Sequence, residues 1–306
     1  MSDPARTLAP AAIPGLDRLE RAFAEVSPLF RRVVGRLRPL LGPRWEAACG
    51  DAVERLFPED GALRAAVEGY GRFAMETLRA EARFSRSGAY DAKSYAEATR
   101  EVYANEAYMR GQYLPGLLLS HYLWPHHFRQ ACFFEDAFLD AVSRGGGPLL
   151  DVGIGTGFYS RLALSSAPGL EVRGYDVSPS SCDFARWHAA AFGHASRYAV
   201  EQRDVVADPP PSAPWLVSVE VLEHLEDPVG FLRGLRRLLA PGGKAFITAA
   251  LNAPHADHIF LYRTPAEVVA QLEAAGFRLE SAFSARADKP APPGAPVPEV
   301  AAFVVG

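Results

Sequence analysis

The chain has 306 residues, of which 49% are hydrophobic and 22% charged, a composition that excludes a wholly disordered or fibrous protein. Its 32 basic residues against 36 acidic ones leave a net charge of −4, so no global field attracts a phosphate backbone and nucleic acid is not an expected partner. Three widely spaced cysteines, Cys49, Cys132 and Cys182, with no CxxC pair, argue against a disulfide framework or zinc ribbon and for a reducing, cytoplasmic setting. The opening run MSDPARTLAPAAIPGL has no apolar core of leader length, and no window reaches about 18 uninterrupted apolar residues, so neither secretion nor membrane spanning is expected.

From residue 16 to 142 the pattern is mostly helical. Leu37, Leu40, Leu41, Trp45, Ala48, Val53 and Leu56 recur at helical spacing, and Gly42-Pro43, Pro58 and Gly61 punctuate them as turns. Tyr90–Phe134 holds ten aromatics in 45 residues, double the chain-wide 11%, interleaved with Asn105, Arg110, His121, His126 and His127. At Gly145-Gly146-Gly147-Pro148 a flexible glycine run separates two kinds of pattern, giving a helical cap or substrate domain at 1–144 and a second domain at 145–306.

After the boundary, short apolar runs alternate with capped helices. Leu149–Val152, Leu170–Tyr175, Tyr198–Gln202, Trp215–Val219 and Ala245–Ala249 read as strands. Ser178-Pro179, Asp227-Pro228 and the capping box Thr264-Pro265-Ala266-Glu267 open helices, and Gly193 and Gly276 close them. Such alternation specifies a doubly wound α/β sheet, parallel and covered on both faces. Leu279–Phe283 and Val300–Val305 then form a closing hairpin around a proline-stiffened loop, residues 287–298.

The run Leu149-Leu150-Asp151-Val152-Gly153-Ile154-Gly155-Thr156-Gly157 is an apolar strand ending in glycines that open a helix. Side chains at Gly153, Gly155 and Gly157 would obstruct a tight turn or a ligand's close approach to the strand's carboxyl end. A dinucleotide site requires GxGxxG, whose third glycine supports a pyrophosphate; here the spacing is GxGxG behind an acidic residue. Asp151 repels a pyrophosphate and attracts a cationic amino or sulfonium group, which points to S-adenosylmethionine.

On these residues the sequence resembles the class I S-adenosylmethionine-dependent methyltransferases over about residues 148–306. The resemblance implies a Rossmann-like sheet with the N-terminal helices as a cap. It places Asp176, with Val177 beside it at the end of the second strand, on the ribose hydroxyls, a vicinal diol that a carboxylate accepts twice. It places Asp204 and Val205 at the adenine, and it matches Ser218–Leu225, with Glu220 on the cofactor, and the turn Leu238–Lys244 to later motifs. In quinone-biosynthesis O-methyltransferases, which share the pattern Glu220-x-x-Glu223-His224, the corresponding residues can hold a divalent ion. Three neighbours without a further ligand are a poor chelate, and no metal is assigned.

Tyr159, on the first turn after the glycines, points toward the methionine end of the cofactor, and His224, His255 and His258 are proton-transfer candidates. Asn105 and Tyr113 belong to the aromatic segment, read as a lid whose rings attract a sulfonium. The leading reading is methyl transfer to a small molecule, with secondary metabolism as its setting. The runner-up keeps the fold and makes the cofactor the sole substrate: its own amine attacks the γ-carbon, giving azetidine-2-carboxylate and methylthioadenosine, with Asn105, Tyr113 or Tyr159 fixing the amine. A non-catalytic cofactor-binding scaffold is the third. Acceptor identity and oligomeric state are not readable.

Overall fold

A computed structural model describes residues 13–290 and 295–306. Most of the opening run read for a leader, and residues 291–294 of the proline-rich loop, lie outside the described residues. The chain divides into two compact units, one ending at Arg64 and the other beginning at Ala65. Among the described residues no helix is long and apolar enough to cross a membrane.

The first unit is a helical pair, α1 (Pro14–Val26) and α2 (Val33–Leu56). Leu16, Leu19 and Phe23, at spacings of three and four, form one buried stripe with Leu37, Trp45 and Val53 of α2. The turn signal at Gly42-Pro43 is realised as a break inside α2, where Gly42 has φ +72°, and the stripe therefore skips Leu40, which is 39% exposed.

In the second unit, α3 (Asp60–Ser87), which begins in the first unit, leads into short helices separated by wide π-helical turns: α4 (Tyr95–Ala98), a π turn at Thr99–Tyr103, α5 (Glu106–Tyr108), a π turn at Met109–Tyr113, α6 (Leu114–Leu123), α7 (Pro125–Phe134), a π turn at Glu135–Leu139, and α8 (Asp140–Gly145). The glycine run that follows is firmly seated. The Trp215 indole donates to the Gly146 carbonyl at 2.8 Å, and a Cβ on Gly145 would stand 2.2 Å from the same ring.

The strands are β1 (Leu149–Val152), β2 (Val172–Asp176), β3 (Tyr198–Gln202), β4 (Ala213–Ser218), β5 (Leu239–Leu251), β6 (Leu279–Arg286) and β7 (Glu299–Val305). They form one sheet in the order β3-β2-β1-β4-β5-β7-β6, the first five parallel and the closing β6–β7 hairpin antiparallel. Between them run α9 (Phe158–Ser166), α10 (Pro179–Ala191), α11 (Pro228–Leu238) and α12 (Pro265–Ala274). Alternate residues of β5 show that both faces are covered. Ala245, Ile247, Ala249 and Leu251 join a core with Leu232 and Leu235 of α11 and Leu272 of α12, whereas Phe246 packs on Phe134, Phe138 and Tyr159.

Ser178 and Asp227 cap α10 and α11 as expected, each accepting a backbone N–H. The capping box at α12 does not form: Thr264 makes no cap bond, and the Glu267 carboxylate instead accepts the N–H of Arg263 at 2.9 Å.

Candidate functional site

The parallel strands end where β1 and β4 diverge to opposite neighbours, the place where an open α/β sheet leaves a crevice. The glycine turn lies there. Gly153 (φ +75°), Gly155 (φ +50°) and Gly157 (φ +69°) all occupy the left-handed region. Two are also sterically fixed, because a Cβ on Gly153 would lie 2.4 Å from Val221 and one on Gly157 would lie 2.8 Å from Ala185 of α10. Asp176 braces the turn, accepting the Gly155 N–H at 3.0 Å on one oxygen and the Ser178 N–H at 2.8 Å on the other. Burial pushes its carboxyl upward against these hydrogen bonds. Next to it, Val177 is 41% exposed, an apolar surface left open at the strand end.

Asp151 is buried under the turn and accepts a 2.6 Å hydrogen bond from Ser160. Desolvation pushes its carboxyl up to about 7. Tyr159 is buried as well, its hydroxyl accepting from the Gln130 amide at 2.9 Å, and the same amide reaches the Glu220 carboxylate at 3.4 Å. Glu220, two residues beyond the end of β4, has φ +51°, a conformation that costs a non-glycine residue, and Thr248 fixes it by accepting its N–H at 2.9 Å. Burial pushes its carboxyl up to about 7.

A second cluster centres on Asp257, which is fully buried in the loop after β5. Tyr103 and Tyr113 donate to one of its oxygens at 3.0 and 2.8 Å, and His255 Nδ1 donates to the other at 2.8 Å. Each tyrosine is the last residue of a π turn. His224 Nδ1 stands 3.1 Å from the Asp257 carbonyl and 3.1 Å from Tyr103 Oη. Because a carbonyl only accepts, the His224 proton sits on Nδ1 and Nε2 is left with its lone pair. Burial raises the Asp257 carboxyl, but the pull of the neighbouring His224 and the hydrogen bond from His255 outweigh it and hold the group well below the usual carboxylate range. His255 Nε2 is buried without a partner.

The aromatic segment lies over this loop. Tyr90 Oη accepts the Ala253 N–H at 2.9 Å, Lys93 donates to the Ala256 carbonyl at 3.2 Å, and Tyr113 shares a core with Phe73, Met109 and Leu114 against which Ala256 packs. Over the glycine turn itself, Leu117 of α6 would touch a Cβ on Gly155 at 3.5 Å.

Other residues expected at the site are engaged elsewhere. Asn105 is exposed and caps α5, accepting the Tyr108 N–H at 3.1 Å. Asp204 is exposed and closes its own turn by accepting from Val206 and Ala207, and the Val205 side chain belongs to the core. Sequence reasoning missed Gln130, which joins Tyr159 to Glu220, and Tyr103, because neither is near its partner in the chain. It also gave no role to the burial of Glu223, whose carboxylate oxygens are both buried without a hydrogen-bond partner. Burial, reinforced by Glu220, pushes that carboxyl well above its ordinary range. Glu223, His224 and His258 bring one ligand atom each within 4.8 Å of one another.

Sheet order, glycine turn and acidic β2 end together define a class I methyltransferase fold, the class whose cofactor is S-adenosylmethionine. Comparisons with known proteins agree: residues 150–245 match the methyltransferase domain family. Among curated proteins, the ubiquinone biosynthesis O-methyltransferase of Xanthomonas euvesicatoria pv. vesicatoria is 31% identical over 155 residues, 44% of this chain and 64% of that protein. The Xanthomonas oryzae pv. oryzae protein of the same name is 33% identical over 123 residues, 39% of this chain and 51% of that protein. The chain thus spans between about half and 64% of the length of these relatives. Human N-acetylserotonin methyltransferase in complex with SAM shares the fold with a TM-score of 0.55 at 18% identity, covering 79% of this chain and 69% of that one. Mitomycin 7-O-methyltransferase MmcR does so with a TM-score of 0.52 at 18% identity, covering 84% and 75%.

Proposed function

We propose that the protein is an S-adenosylmethionine-dependent O-methyltransferase of a small molecule, with His255 as the base that takes the acceptor's proton. The observation that carries this reading is the His255–Asp257 pair: a buried imidazole whose Nδ1 is held by a carboxylate and whose Nε2 has no partner. On the cofactor side, Gly153, Gly155, Gly157, Asp176 and Val177 hold the adenosyl moiety, with the Asp204–Val205 turn at its adenine end. Asp151 sits beneath the methionine end as the counter-charge to its ammonium, and the Tyr159–Gln130–Glu220 chain flanks it.

Methyl transfer is an in-line displacement at a carbon the cofactor has already activated, so the protein's work is positioning, exclusion of water and removal of one proton. Tyr113 and His224 position Asp257 and the loop that carries His255. As a functional division, the helices up to residue 144 serve as the cap and residues 145–306 as the cofactor domain. The ubiquinone-biosynthesis relatives favour a phenolic or catecholic acceptor, and secondary metabolism remains its expected setting. The slightly acidic charge balance supports neither nucleic acid nor membrane as a partner, and the free thiols of Cys49, Cys132 and Cys182 suit a cytoplasmic location.

The test is product analysis by mass spectrometry after incubation with S-adenosylmethionine, with and without a panel of phenols and catechols. Adenosylhomocysteine and a methylated acceptor, formed only when an acceptor is present and strongly reduced in His255→Ala, support the proposal. Methylthioadenosine formed from the cofactor alone replaces it with ring closure, and no turnover on any acceptor leaves a binding scaffold.

A further inference from the structure

We infer that His258 completes, with Glu223 and His224, a site for one divalent transition-metal ion. The set implied by the sequence resemblance is Glu220, Glu223 and His224. Here Glu220 stands outside the group, its carboxylate directed to the Gln130 amide and its backbone fixed in the left-handed region by Thr248. The fold supplies the missing ligand from a different strand end: His258, on the loop after β5, packs edge-on against His224 with ring centroids 4.8 Å apart.

Three observations point to a cation. Glu223 is wholly buried, and neither of its carboxylate oxygens has a hydrogen-bond partner of normal geometry; the backbone N–H groups of Glu223 and Ala250 offset its burial only in part, so a charge there is left short of compensation. Both imidazoles are prepared as ligands. His258 donates Nδ1–H to the Ala253 carbonyl and His224 donates Nδ1–H to Asp257, which leaves each Nε2 lone pair available. That is the arrangement in which ligating histidines are held, the far nitrogen bound to a carbonyl or carboxylate that fixes tautomer and ring angle. Third, the ligand atoms lie within 4.8 Å of one another, near the separation of about 3.4 Å that two ligands at a tetrahedral angle around one ion adopt.

Two imidazoles and one carboxylate select zinc, iron(II) or cobalt(II) over magnesium, which prefers an all-oxygen shell. When bound, such an ion supplies Lewis acidity to an acceptor hydroxyl; that placement rests on the methyltransferase reading, whereas the binding of the ion does not.

The experiment uses full-length, tag-free protein stripped with a chelator and titrated with Co²⁺, Zn²⁺ and Mg²⁺, followed by visible absorption for Co²⁺ and calorimetry for all three. One equivalent of Co²⁺ or Zn²⁺ is expected to bind, with Co²⁺ bands in the visible and Mg²⁺ at least about 100-fold weaker. His258→Ala is expected to weaken Zn²⁺ about 100-fold and abolish the Co²⁺ bands, whereas Glu220→Gln keeps both. Glu223→Gln guards against misfolding as an explanation: it should melt no lower than the stripped wild type, yet gain no melting temperature from Zn²⁺. The inference is overturned if the wild type binds no stoichiometric ion, if His258→Ala binds as tightly as the wild type, or if Glu220→Gln loses the ion as fully as His258→Ala. Methyl transfer that persists at full rate in stripped protein removes the ion's catalytic role, and an ion bound without methyl transfer removes the activity alone.

Discussion

Tyr113 donates a 2.8 Å hydrogen bond to Asp257 across 144 residues of sequence, tying the last residue of a π turn in the cap to the loop after β5. Asp257 also takes hydrogen bonds from Tyr103 and His255. One buried carboxylate therefore ties two turns of the cap to this loop and fixes how His255 is turned. Neighbouring hydrogen bonds in such a network strengthen one another, and removal of its centre leaves several donors unsatisfied.

Asp257→Ala is therefore expected to cost about 3–5 kcal/mol of stability, and Tyr113→Phe, which leaves Asp257 two other donors, about 1–2 kcal/mol. Thermal or urea melts of the three proteins check the ranking. Equal losses for the two variants would show that Tyr113 matters through packing and not through the carboxylate.

Gly157→Ala meets two obstacles at once, a φ of +69° and a Cβ placed 2.8 Å from Ala185. The backbone strain alone is worth about 1–2 kcal/mol, so a loss of at least that size is expected in a denaturant melt, with cofactor affinity falling as α9 and α10 move apart. A variant as stable as the wild type would mean that the turn relaxes freely.

Asp151 gives a pH signature. Its carboxyl is pushed from 3.8 to about 7 by burial, so the folded state holds a proton that the unfolded chain has already lost between those values. Stability from this group is complete below pH 3.8 and is lost as pH rises through about 7. Asp151→Asn still accepts from Ser160 but carries no charge. It should match the wild type near pH 4 and exceed it by on the order of 2–4 kcal/mol at pH 8, while binding the cofactor less well. Parallel stability curves from pH 4 to 8 would contradict this.

Sequence signals that are contiguous were readable. The strand-glycine-helix run, the acidic end of β2 and the helix starts at Ser178 and Asp227 are each set by residues within a few positions, and local chemistry decides them. Contacts made by the fold were not: Gln130 meets Glu220 across 90 positions, and nothing in either segment announces the other. The π turns ending at Tyr103 and Tyr113 insert one extra residue into a helical repeat, which hides those side chains from a 3.6-residue pattern. Asn105 shows the reverse limit: a polar residue inside an aromatic segment looked like a ligand contact, and it serves the backbone as a cap. The seated glycines at 145–147 owe their order to Trp215, some seventy residues on, which composition alone does not reveal.

Asp176 spends one hydrogen bond per oxygen on the Gly155 and Ser178 amides, leaving further lone pairs for the ribose diol. Asp176→Ala removes both the diol acceptor and the brace on the glycine turn. An affinity loss of about 100-fold for adenosylhomocysteine is expected by calorimetry, since charge-assisted hydrogen bonds carry about 1.5–3 kcal/mol each. A loss below threefold would place the ribose elsewhere.

Calorimetric titration of the wild-type protein with adenosylhomocysteine and with NAD, side by side, decides what the cleft above Gly153 accepts. Saturable binding of one equivalent of adenosylhomocysteine, with no heat from NAD, is the expected result. Tight NAD binding with silence from adenosylhomocysteine would contradict it and with it the functional assignment of Asp151, Asp176 and the glycine turn.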